Sequence, residues 1–136
     1  MSDVPPTPRE LEALKVLWRK GPATAREVHE AIGAGEEGLA YTTVLSLLQT
    51  MERKGLAGHE PAGRAHAYFA KVRRDAVLGR LAADFLDLAF DGSLAECVAL
   101  ALQARKPDAA ELDAIEQAIA AAREAARPRG RKKGRG

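Results

Sequence analysis

The chain has 136 residues, 46% of them hydrophobic but only 4% aromatic, and a formal net charge of +2 at pH 7. That composition fits one small, mainly α domain with an appendage, cored by Leu, Val and Ala. Its single cysteine, Cys97, excludes an internal disulfide framework and any multi-cysteine metal site, and no apolar run approaches the ~20 residues of a membrane span.

The start, "MSDVPPTPRE", lacks the apolar segment of a signal peptide, so a cytoplasmic protein without membrane insertion is expected. The first helix has a marked beginning. Thr7 as N-cap, Pro8 at the first helical position and Glu10 three residues after the threonine form a capping box. The helix runs to Lys20 with Leu11, Leu14, Leu17 and Trp18 as its buried stripe, and Gly21 and Pro22 stop it. A second box, Thr24 and Glu27, opens a short helix to about Ile32 with Ala25, Val28 and Ile32 inward, and the glycine-rich "GAGEEG" is a loop.

The third helix, Ala40 to about Lys54, is closed by Gly55. At 100° per residue, Tyr41, Val44, Leu45, Leu47, Leu48 and Met51 gather on one face, whereas Thr42, Thr43, Ser46, Gln49, Thr50 and Arg53 occupy the other. A merely solvated face would carry Glu and Lys; Thr and Ser each cost the helix a few tenths of a kcal/mol, roughly. Short hydroxyls, an amide and an arginine suit a backbone lying close to phosphates and base edges in a major groove. Beyond Gly55 the period changes. Residues 56–72 read as two short strands around "PAGR", with Gly63 at positive φ in the turn and Arg64 at the tip. Three helices and then a hairpin are the order of a winged helix-turn-helix, whose third helix enters the major groove.

From about Arg73 helical periodicity returns, with Val77, Leu78, Leu81, Phe85 and Leu88 on one side, up to a break at "DGS". Ser93 caps the next helix, striped by Leu94, Val98, Ala101 and Leu102; Pro107 and Asp108 lead into a last one with Leu112, Ile115 and Ile119 inward. Three such helices cannot cover one another fully, so a homodimer is expected, presenting two recognition helices to a palindromic site in double-stranded DNA. The predicted architecture is therefore mainly α with a small β-hairpin wing. It comprises a winged helix-turn-helix domain at 1–72, a helical dimerisation domain at 73–126 and a disordered basic tail at 127–136. Charge follows the same division. Residues 1–71 balance nine basic against nine acidic side chains, residues 72–126 hold six against ten, and the tail holds six basic and none acidic. Such a tail can cling to nucleic acid without reading sequence.

The segments "ELEALKVLWRKGPATAREVHEAI", "AYTTVLSLLQTMERKGL", "GRAHAYFAKV" and "FDGS" resemble, in order and spacing, the penicillinase repressor and methicillin-resistance repressor family of bacterial transcription factors, over about Thr7 to Ala126. The resemblance implies a dimeric winged-helix repressor, with residues 8–72 on DNA and the later helices forming the dimer. It implies that Thr42, Thr43 and Ser46 hydrogen-bond phosphates or base edges, and that Tyr41 either packs inward or lays its hydroxyl on a phosphate. Gln49 and Arg53 lie further along the same face, Arg53 as a phosphate clamp. Arg64 is the wing contact, and Arg26 anchors to the backbone with help from its helix dipole. Several members of the family are released when a membrane sensor or its protease cuts after an Asn that precedes a Phe. Leu100 and Ala101 stand there in this chain, so release by cleavage needs another bond. The paired Cys-x-Cys motifs of the copper-responsive branch are absent, and no cofactor or metal is expected.

His29, His59 and His66 read as single surface histidines without the spacing of a zinc site, and no catalytic constellation is expected. Cys97 reads as a small buried hydrophobe. Two other readings compete with the repressor: a winged-helix protein-interaction module, which would want apolar residues on the outer face of the third helix, and a nonspecific DNA binder acting through its tail.

Overall fold

A computed structural model of the protein describes residues 4–33 and 38–128. In chain order the elements are α1 (Pro8–Lys20), β1 (Ala23–Thr24), α2 (Ala25–Ile32), α3 (Tyr41–Arg53), β2 (Ala57–Ala62), β3 (Ala65–Ala70), α4 (Arg74–Phe90), α5 (Leu94–Arg105) and α6 (Ala109–Ala126). Most of "GAGEEG" and of the basic tail lies outside the described residues. The chain parts into two compact units, Met1–Leu88 and Ala89–Gly136.

Both capping boxes form. Thr7 Oγ1 accepts from the Glu10 backbone N–H (3.2 Å) while the Thr7 N–H donates to Glu10 Oε1 (2.9 Å); Thr24 and Glu27 repeat the pattern at the same distances. Four orphan donors are thereby satisfied at two helix starts. Gly21 ends α1 at φ +85°, which a side chain would resist. One short strand was absent from the sequence expectation: β1 pairs antiparallel with β3, Ala23 opposite Tyr68 and Thr24 opposite Ala67. The sheet order is therefore β1-β3-β2, and the hairpin of β2 and β3 turns at Gly63, φ +64°.

The core of the first unit gathers the inner faces of α1, α2 and α3 under this sheet. Leu14, Val28, Val44, Leu48 and Met51 are fully buried, with Ala13, Val16, Leu17, Leu56, Ala57 and Tyr68 around them. Leu11, Trp18, Ile32, Leu45 and Leu47 are half-buried at its margin. The Trp18 indole N–H donates to the Val72 carbonyl (3.0 Å), fastening the end of α1 to the segment leaving the wing. Beneath the core lies a buried acid that periodicity did not single out. Glu10, 2% exposed, receives the Lys54 ammonium on both carboxylate oxygens at 2.9 Å. One carboxylate thus caps α1 and holds the C-cap residue of α3, a charge removed from water and paired there.

Three expectations need correction. Tyr41 does not join the core face of its helix: it is 44% exposed, its ring edge-on to His29 at 6.0 Å, because the first residue of α3 projects beyond the layer that Val44 and Leu48 fill. Cys97 is half-buried and free rather than buried. The sequence places Leu112, Ile115 and Ile119 of α6 inward, yet none of α4, α5 and α6 buries a residue. Leu88 is 84%, Leu94 60% and Phe85 54% exposed, with Val98, Leu112 and Ile119 also open and Leu78, Leu81, Leu102 and Ile115 half-buried.

Candidate nucleic-acid interface

The outer face of α3 is polar and open. Thr42, Thr43, Ser46, Gln49 and Arg53 are all exposed, and Thr50 accepts a hydrogen bond from Arg53 Nη2 (3.0 Å), which steers the guanidinium along the helix. Its N-terminus differs from those of α1, α2, α5 and α6, each of which carries a side-chain cap and an acidic residue in the first turn. Here Ala40 is the N-cap, without a side-chain hydrogen bond, and no acid follows in the first turn. The positive end of the helix and the N–H groups of Tyr41 and Thr42, which have no partner among the described residues, are thus left for an acceptor from outside.

Beside this face runs a groove of about 650 Å³ between the start of α2, α3 and the wing. Pairing of Thr24 with Ala67 sets the first turn of α2 against the inner strand of the wing. Four of the eight residues expected to touch DNA, namely Arg26, Tyr41, Gln49 and Arg64, consequently line one concavity, with Thr24, Leu45, His66 and Tyr68 among its other walls and no Asp or Glu among the described residues that line it. Thr42, Thr43, Ser46 and Arg53 are not part of that lining; they stay on the open face of α3. Among the described residues none of Arg26, Arg53 and Arg64 pairs with a carboxylate, whereas Arg9, Arg80 and Arg127 each do. Cations left unpaired beside hydroxyls and helix N–H groups are chemically suited to phosphate diesters, and Gln and Thr to base edges.

Tyr68 closes the floor of the groove. Burial holds its phenol above the ordinary value of 10.0, and the Glu52 carboxylate and the Tyr41 phenol push the same way. Glu52, on the last turn of α3, accepts from His59 Nδ1–H on β2 at 2.8 Å, and the His59 ring stacks on His66 of β3, centroids 4.3 Å apart. The histidines are therefore not single, as their sequence positions suggested. His66, a surface histidine by its sequence position, is a wall of the groove: Arg64 stands just before β3, and the two-residue alternation that runs on through His66 and Tyr68 puts all three on one side. His29 serves structure, its Nε2–H donating to the Leu39 carbonyl (2.7 Å) at the approach to α3. Among the described residues no three His, Cys, Asp or Glu side chains come together as a metal site.

Three helices followed by a hairpin, with the inner strand of the hairpin tied back to the turn before the second helix, define a winged helix-turn-helix domain. The penicillinase repressor family profile matches residues 6–121, and the chain belongs to that family. It is 38% identical over 105 residues to the transcriptional regulator BlaI of Mycobacterium tuberculosis, covering 76% of this chain and 75% of that protein. Among solved structures, the monomeric BlaI of Bacillus licheniformis in complex with the blaP half-operator is 24% identical, with a TM-score of 0.46, over 55% of this chain and 92% of that one. A MarR family protein from Bacillus stearothermophilus is 23% identical, with a TM-score of 0.47, over 76% and 74%.

Proposed function

We propose that this chain is a sequence-specific DNA-binding transcriptional repressor, not an enzyme, acting as a homodimer on a palindromic operator. Residues 1–72 take the DNA, residues 73–126 the second subunit, and the basic tail, 127–136, adds affinity without sequence. The carrying observation is the joining of an open hydroxyl-rich α3 face to a groove lined by Arg26 and Arg64, with no acid among the described residues of its walls. The uncapped start of α3 supplies a phosphate site at the helix dipole. In this reading Thr42, Thr43 and Ser46 face bases and phosphates from the first turns, Gln49 and Arg53 follow, and Tyr41, being exposed, offers its hydroxyl rather than packing inward. Family membership and the relationship to a transcriptional regulator support the same assignment.

The second subunit is supported by the open leucines and phenylalanine of α4 to α6, which water solvates poorly. No helix among the described residues is long and apolar enough to cross a membrane, and we place the repressor in the cytoplasm. Release through a membrane sensor and protease would use a bond other than Leu100–Ala101, which replaces Asn–Phe and sits inside α5.

The test is selection of bound fragments from random duplex DNA at near-physiological salt, with the full chain and a chain ending at Ala126. A palindrome enriched by both is expected. Enrichment of nothing, or binding that requires the tail, would overturn the repressor reading in favour of an interaction module or a nonspecific binder.

A further inference from the structure

We infer that His66 is an additional phosphate-contact residue of the wing, and that His59 and Glu52 are its positioning residues; this rests on the reading that the groove between α2, α3 and the wing lies against DNA. The His66 side chain is exposed, lines the groove with Arg26 and Arg64, and has no hydrogen-bond partner on either ring nitrogen among the described residues. An imidazole always carries at least one N–H. A donor without an acceptor, set beside two unpaired guanidinium groups in a groove with no carboxylate among its described walls, is matched by an anion rather than by a base edge that also donates.

What holds the ring there is equally visible. One face of His66 is covered by His59 at 4.3 Å and 17° between planes, so rotation is restricted while the nitrogens at the ring edge stay open. His59 is itself fixed by Nδ1–H donation to both Glu52 oxygens, 2.9 and 2.8 Å. Glu52 stands on α3, the helix whose outer face reads DNA. The chain from Glu52 through His59 to His66 therefore ties the position of a wing donor to the recognition helix across two strands.

The experiment measures dissociation constants for a synthetic duplex carrying the sequence enriched by random selection, with the full chain and its variants, each checked for an unchanged melting transition. His66→Ala is expected to weaken binding about three- to tenfold, the range for one lost hydrogen bond to a charged group. His59→Ala and Glu52→Ala should each lose about threefold where His66 is present and nothing in a His66→Ala background, because they act through that ring. Glu52→Gln keeps an acceptor for His59 and should bind as the parent does. Unchanged affinity of His66→Ala, while Arg64→Ala and Thr43→Ala weaken binding, would overturn the inference and leave the repressor reading standing. An equal loss from His59→Ala with and without His66 would overturn the positioning role. Selection that enriches no duplex would overturn both the inference and the reading beneath it.

Discussion

Replacing Lys54 with Met should destabilise the first unit by about 2 kcal/mol. Removing one partner of a buried ion pair costs about 3–5 kcal/mol when the other charge is stranded. Two features lower the figure here. The Lys54 side chain is 26% exposed, so water reaches the pair from one side, and the Glu10 carboxylate keeps the Thr7 N–H at 2.9 Å after the ammonium is gone. About 2 kcal/mol is roughly a thirtyfold fall in the ratio of folded to unfolded chain. Urea unfolding followed by fluorescence reads it directly, since Trp18 is the single tryptophan and is bonded to Val72 across the same unit. Protein concentration must be held fixed, because association stabilises by mass action. Adding Glu10→Gln to Lys54→Met removes both charges while leaving an acceptor for Thr7. The double variant should therefore lie at least about 1 kcal/mol above the sum of the two single effects. A Lys54→Met transition within about 0.5 kcal/mol of the parent, or strict additivity, would refute the view that this pair is a buried clamp.

The Tyr68 phenol is raised in the folded chain, so the folded state favours the protonated form. Its contribution is complete below 10.0 and is lost as pH climbs from there through the folded value. Alkaline unfolding should steepen above that point, and Tyr68→Phe should flatten it, with absorbance at about 295 nm showing one of the two tyrosines ionising late. Leu48→Ala opens a cavity at a fully buried position and should cost about 3–5 kcal/mol in urea; a loss below about 1 kcal/mol would mean the core is not packed as described. Thr24→Ala removes the α2 cap and should cost about 1 kcal/mol, accompanied by faster amide exchange at Glu27. Leu88→Asp, at the most open leucine of α4, should convert a dimer into monomers in sedimentation equilibrium. A parent chain that is already monomeric would remove the basis for the second subunit.

Much of the fold was legible because its boundaries are chemical. Thr7 with Glu10 and Thr24 with Glu27 name two helix starts by side chains that can serve only one geometry, and Ser93 and Asp108 do so again, each accepting from the backbone three residues on. Gly63 marked the wing turn because positive φ excludes most residues. What escaped the sequence was pairing across distance. The separation of 44 positions from Glu10 to Lys54 hides an ion pair that no local pattern encodes. β1 is two residues long, too short for alternation, and Thr24 already had a role as N-cap. His59 and His66 are seven apart in sequence, yet the hairpin register sets His59 opposite Tyr68 and so diagonally beside His66. For the candidate site, composition exposed the hydroxyl face of α3, whereas the meeting of Arg26 with Arg64 needed the unforeseen β1 strand to bring α2 to the wing.

The order β1-β3-β2 leaves β2 as a sheet edge, and that edge is poorly suited to recruiting another chain. Pro61 offers no N–H, Glu60 puts a charge beside it, and the strand ends one residue later at Ala62. The opposite edge is the two-residue β1, which enters a helix at once. An incoming strand would find too few hydrogen-bonding groups at either side to extend the sheet. The hairpin is thereby a poor template for polymerisation through its own backbone.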